Sequence, residues 1–165
     1  MISKKIASVI TSVMVFCCIV GVSLTNVKAD DSAPKSVDGS YLTSADSSTG
    51  YTPKNNERGK HLMDGQCSIS KTGTKRIYAY GSTTANHTVD AVAVIVYVDR
   101  YHESDGKWHQ IDAFSKKVEN DYYSAISKSI QVDRGYYYRV HCNHIAGNEY
   151  PYEEDFSVTN GILIP

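Results

Sequence analysis

Val92 to Val98 reads Val-Ala-Val-Ile-Val-Tyr-Val, and no other stretch constrains the fold as tightly. β-Branched side chains lose rotamer freedom in a helix and pack well on a pleated surface, so the run is a strand. Read in alternation, Val92, Val94, Val96 and Val98 share one face. Ala93, Ile95 and Tyr97 share the other, which turns polar at Asp99. One wholly apolar face and one mixed face place this strand inside a sheet that packs on a second layer.

The N-terminus decides the compartment. Met1 to Lys5 is short and basic, Ile6 to Leu24 is apolar, and Val27-Lys28-Ala29 offers small side chains for a cleavage site. This three-part pattern predicts a signal peptide over residues 1–29 and a secreted, extracellular protein. An uncleaved anchor is the competing reading, because the run approaches bilayer-spanning length. A lipoprotein would need a Cys just after the apolar stretch, whereas Cys17 and Cys18 lie inside it. Cleavage removes Lys4, Lys5 and Lys28, so Lys plus Arg falls from 17 to 14 against 18 Asp plus Glu, a net charge of −4. That balance argues against a nucleic-acid partner or an anionic membrane held by net charge. No second apolar run of spanning length follows, so no stable membrane insertion is expected after cleavage.

Residues 30–60 are dominated by Ser, Thr, Asp, Asn, Gly and Lys, with Val37, Tyr41, Leu42 and Tyr51 as the large apolar residues. Such a segment buries too little apolar surface to offset its ordering entropy, and it reads as a flexible polar leader. Residues 61–165 then form one domain, close to the size of an immunoglobulin-like sandwich. Short strands are expected at Gln66–Ser70, Arg76–Tyr80, the central run to Tyr101, Lys107–Phe114, Ser124–Val132, Tyr136–Cys142, and around Phe156 and Ile162. Asp105-Gly106 marks a hairpin turn. Trp108, Ile111 and Phe114, spaced by three, imply a bulge in their strand. Gly81–Thr88 reads as a polar loop. No helical stripe occurs after residue 30, so the fold class is all-β: a single antiparallel β-sandwich of seven to eight strands.

Cys67 and Cys142 are left once the signal peptide is gone, and an even count in an exported chain suggests a disulfide. Cys67 shares its face with Ile69. Cys142 shares its face with Tyr136, Tyr138 and Val140, so both point inward. Two buried free thiols are the alternative. A bridge from an early to a late strand, with Trp108 between them and Asp133-Arg134-Gly135 ahead of a Tyr-rich strand, follows the plan of an immunoglobulin core and its tyrosine corner.

Val94-Ile95-Val96-Tyr97-Val98, Trp108, Gly135-Tyr136-Tyr137-Tyr138-Arg139-Val140, His144 and Gly161-Ile162 resemble a family of small exported bacterial β-proteins classed as a domain of unknown function. The resemblance implies export and an all-β fold. It brings no catalytic or binding residues with it.

Catalytic motifs are missing: there is no Gly-x-Ser-x-Gly, no His-Glu-x-x-His and no phosphate loop. His141 and His144 stand three apart, which on one strand points them to opposite faces. The acids Glu149, Glu153, Glu154 and Asp155 read as a charged hairpin tip, and His102-Glu103-Ser104-Asp105 as a hydrophilic turn. Neither a cofactor nor a metal is expected, nor is an enzyme. Tyrosine is the informative excess, with 13 in the chain, all after residue 29. Tyr offers a rigid ring and a hydroxyl, suited to stacking on sugars or gripping a protein. Tyr78 and Tyr80, or their neighbours, are among those expected to point outward. The expected function is extracellular recognition of a protein or glycan. The expected site is the loop after the Tyr-rich strand: Tyr137, Arg139, His144, Tyr150 and Tyr152. A cell-wall-acting hydrolase or inhibitor and a small secreted toxin are the alternatives.

Overall fold

The computed structural model describes residues 34–53 and 59–165. The expected signal peptide lies outside them. Among the described residues the chain forms eleven strands and no helix: β1 (Ser36–Val37), β2 (Ser40–Thr43), β3 (Ser47–Tyr51), β4 (Leu62–Gly73), β5 (Arg76–Val89), β6 (Ala91–His102), β7 (Lys107–Val118), β8 (Asp121–Gln131), β9 (Tyr136–Gly147), β10 (Glu153–Val158) and β11 (Gly161–Ile164).

They build a sandwich. The larger sheet runs β1-β2-β11-β9-β6-β7, with β10 also on β9, and the smaller runs β3-β4-β5-β8. Every pairing is antiparallel except β2 with β11. β10 and β11 follow each other along one side of β9, the first on His141–Ala146 and the second on Tyr136–Tyr138. At the break between them, Thr159 N donates to the Val140 carbonyl at 2.9 Å, and Val140 N donates to Thr159 Oγ1 at 3.0 Å. Strands β4 to β10 make three hairpins, β4–β5, β6–β7 and β9–β10, with crossovers between the sheets. This is an immunoglobulin-like arrangement, and it has a tyrosine corner: Tyr138 OH donates to the Asp133 carbonyl at 2.9 Å.

The core follows the alternation. Val94, Val96 and Val98 of β6 are wholly buried against Cys67, Ile69, Ile77 and Ala79 from the small sheet and Val140 and Cys142 from β9. A smaller cluster holds Leu62, Val89, Val92 and Ala146. The expected bulge is present: Val98 pairs with Asp112 and Asp99 with Gln110, leaving Ile111 as the extra residue.

Four expectations are corrected. The leader is not structureless over 34–53: it supplies β1 and β2 to the large sheet and β3 to the small one. Pairing backbone to existing strand edges needs few apolar side chains, and this is what its composition concealed. Gly81–Thr88 is not a loop, because β5 continues to Val89. Its polar inward side chains find partners inside the core, and Gly81 leaves the space that the Cys142 sulfur and Val96 occupy. Trp108 is outside the core, on the outer face of the large sheet, where its Nε1 donates to the Val37 carbonyl at 3.0 Å. Tyr136, expected inside, is exposed at the strand start beneath the Arg100 guanidinium, 4.8 Å from its ring.

Candidate functional site

The residues expected to form one site are dispersed. Tyr150 is 88% exposed, and Tyr152 packs beside it and against Gly147. Tyr137 lies at the other end of β9, roughly 30 Å away at about 3.3 Å per residue. There it joins Tyr101, His102, Glu103, Arg134 and Tyr136 around a cleft of about 480 Å³. Arg139 and His144 are not surface groups: they are 6% and 0% exposed.

Arg139 locks down the outer face of the large sheet. Its Nε donates to Asp99 Oδ2 at 3.0 Å, and its terminal nitrogens reach the Asp38 carbonyl at 2.9 Å, Asp38 Oδ2 at 3.0 Å and Ser40 Oγ at 3.2 Å. The guanidinium stacks 4.6 Å from the Trp108 ring. His141 Nδ1 reaches the same Asp99 oxygen at 3.1 Å, with its ring stacked on Tyr97. Burial pushes the Asp99 carboxyl up, but His141 and Arg139 outweigh it and hold it below the ordinary carboxylate range. The β1–β2 arm covers this charge, so Arg139 is an internal clamp and not a polar anchor for a ligand.

His144 is a core histidine. Thr83 Oγ1 donates to the Ala93 carbonyl at 2.8 Å, so it accepts from His144 Nδ1–H at 2.9 Å, and Ser157 Oγ donates to Nε2 at 2.7 Å. Burial lowers its pKa to about 4. The Ser157–His144 distance is that of a nucleophile and its base, yet both side chains are sealed in the core with no exposure. The expected disulfide is not formed in this structure. Cys67 and Cys142 are buried free thiols. The Cys67 thiol lies 3.7 Å from the Val140 carbonyl. The inward parity of both cysteines holds. Among the described residues no group of three or more His, Cys, Asp or Glu could hold a metal ion.

One surface is built differently. The outer face of β3-β4-β5-β8 is set by register. Ser47, Ser70, Tyr78 and Ser129 form one row; Thr49, Ser68, Tyr80 and Ser127 the next; Tyr51, Gln66, Ser82 and Ala125 the third. None of these twelve side chains is charged; Arg76 and Asp64 bound the field at its two ends. Tyr51 and Tyr78 are 58% and 39% exposed. At the rim, Tyr123 shares a hydrogen bond with Tyr80, 2.9 Å between the hydroxyls. This bond holds the Tyr123 hydroxyl above its ordinary pKa. The face can offer aromatic planes and a grid of hydroxyls without any electrostatic bias. The sequence held a partial signal, the alternations Ser68-Ile69-Ser70, Ile77-Tyr78-Ala79-Tyr80 and Ser127-Lys128-Ser129-Ile130. Only strand pairing shows that the polar members converge. Set against protein-family models, curated proteins and solved structures, the chain matches none of them.

Proposed function

We propose that this is an exported, non-enzymatic recognition module whose binding surface is the outer face of the small sheet. One observation carries the reading: twelve adjacent outward positions on four strands hold Ser, Thr, Tyr, Gln and Ala and no charge, in a chain that is 21% charged. A surface that merely keeps a protein soluble is rich in Lys, Glu, Asp and Arg. Tyr with small hydroxylated neighbours is the chemistry of adaptable binding surfaces. The signal-peptide pattern supplies the compartment.

Co-sedimentation with envelope material from the source cells tests this. Wild-type protein and Tyr150→Ala/Tyr152→Ala should sediment with it. Tyr78→Ala/Tyr80→Ala should stay in solution while remaining folded, with its melting temperature lowered by a few degrees at most. No sedimentation, or sedimentation that ignores Tyr78 and Tyr80, overturns the reading.

Export also bears on the thiol pair. In an oxidising compartment, exchange with a disulfide oxidant joins Cys67 to Cys142, staples β4 to β9 and releases two thiols from the oxidant. Non-reducing peptide mapping of the exported protein should find the linked peptides; two free thiols there would count against export.

A further inference from the structure

We infer that the ligand of the Tyr–Ser face is an extended, uncharged polysaccharide lying across the strands. The inference rests on the reading above and narrows its partner. Charge comes first. Partners of net charge are met by complementary side chains, and the twelve positions provide none. An acidic wall polymer, a nucleic acid or a basic peptide would find no counter-charge there.

Composition then separates a glycan from a protein. The central area of a protein–protein interface is apolar, enriched in aromatic residues, Met and Arg, and depleted in Ser. This face has three Tyr, six Ser, and no Leu, Ile, Val, Met, Phe or Arg in its three rows. Its hydroxyls both donate and accept, which suits a ligand that is itself covered in hydroxyls. The Tyr rings supply flat apolar area for the C–H faces of sugar rings.

Shape decides the length of the ligand. Small ligands take concave pockets that bury most of their surface. Among the described residues, clefts lie around Tyr101–Tyr137 and around Arg100–Asp133, and a third borders the end of this face at Thr72–Arg76 and Gln131. The rows stand about 7 Å apart, and four strands span about 14 Å. That is a platform for several sugar units in line. The Tyr80–Tyr123 hydrogen bond orients both rings before the ligand arrives, which lowers the entropy lost on docking.

The test is retention on insoluble neutral polysaccharides: cellulose, chitin, starch and a β-1,3-glucan, each at about 0.1 M and about 1 M salt, where exposed charge interactions are screened. At least one should retain the full-length mature protein equally at both salts. Tyr78→Ala and Tyr80→Ala should each weaken retention roughly five- to tenfold, and Tyr→Phe at either position should restore most of it. Retention that collapses at high salt overturns the uncharged ligand. If no polysaccharide retains the protein, and protease treatment of the envelope abolishes a Tyr78- and Tyr80-dependent sedimentation, the partner is a protein: the glycan assignment fails and the face survives. Polysaccharide retention that is indifferent to Tyr78 and Tyr80 removes both.

Discussion

The two outer faces of the sandwich meet water in opposite ways. On the large sheet, Asp99, Arg139 and His141 gather charge at the middle of the face, and the β1–β2 arm closes over it. On the small sheet the three central rows of the outer face carry no charge, and Tyr51 and Tyr78 among them are exposed. Charge buried beneath a strap is committed to the fold: Arg139 has its donors spent on Asp99, Asp38 and Ser40 and its plane spent on Trp108. Uncharged hydroxyls cost little to leave solvated and little to desolvate, so that face is free for a ligand. Strong polar groups mark where this protein is held together, and weak ones mark the face proposed for binding.

The contrast can be broken most visibly at Asp99. Asp99→Ala strands a buried guanidinium and should lower the unfolding free energy by about 3–5 kcal/mol, read by urea denaturation. A cost below about 1 kcal/mol would mean that the covered face is no more committed than the open one.

Acid acts between the two faces, at His144. Its folded pKa of about 4 lies below the unfolded value near 6.5. The unfolded chain therefore binds the extra proton first as pH falls. Stability attributable to this group is complete above pH 6.5 and is lost on the way down to about 4. The loss is on the order of 3 kcal/mol and should be visible as a falling urea midpoint. A midpoint that is flat across that window would mean His144 is not the sealed, neutral group that joins the sheets.

Asp38→Ala sharpens the comparison at the strap. Its carboxylate is mostly exposed although its partner Arg139 is not, so the loss should be about 1 kcal/mol or less. Hydrogen exchange should quicken in β1 and β2 and nowhere in the small sheet. The smallest effect belongs to the open face: Tyr78→Ala/Tyr80→Ala should change stability by about 1 kcal/mol at most. A large loss would show those rings to be structural and remove the basis for the recognition surface.

Much of the core was legible because burial and alternation agree there. Val92, Val94, Val96 and Val98 could face only one way, the Ile111 bulge followed from spacing, and Tyr138 made the corner bond that its turn promised. The arm was illegible because its attachment depends on Arg139, nearly a hundred residues later in the chain, and on backbone pairing that leaves no apolar signature. β5 ran past its expected end because Thr83 and Gly81 are inward residues of a kind normally read as loop. The face proposed for binding was missed for a related reason. A loop rich in Tyr and acids is conspicuous in one dimension, whereas a serine grid exists only after four strands take their neighbours.

The parallel pairing of β2 with β11 also sets an order of events. Ser40 Oγ donates to the Thr159 carbonyl at 2.8 Å across 119 residues. Contacts of such separation bring the largest loop-closure cost and form slowly. Strands β4 to β9 can find one another through hairpins and near neighbours, but the strap has no edge to join until β11 has been synthesised and laid on β9. The Asp99–Arg139 pair is therefore expected to be clamped late, with closure of the large sheet following the pairing of β11 with β9.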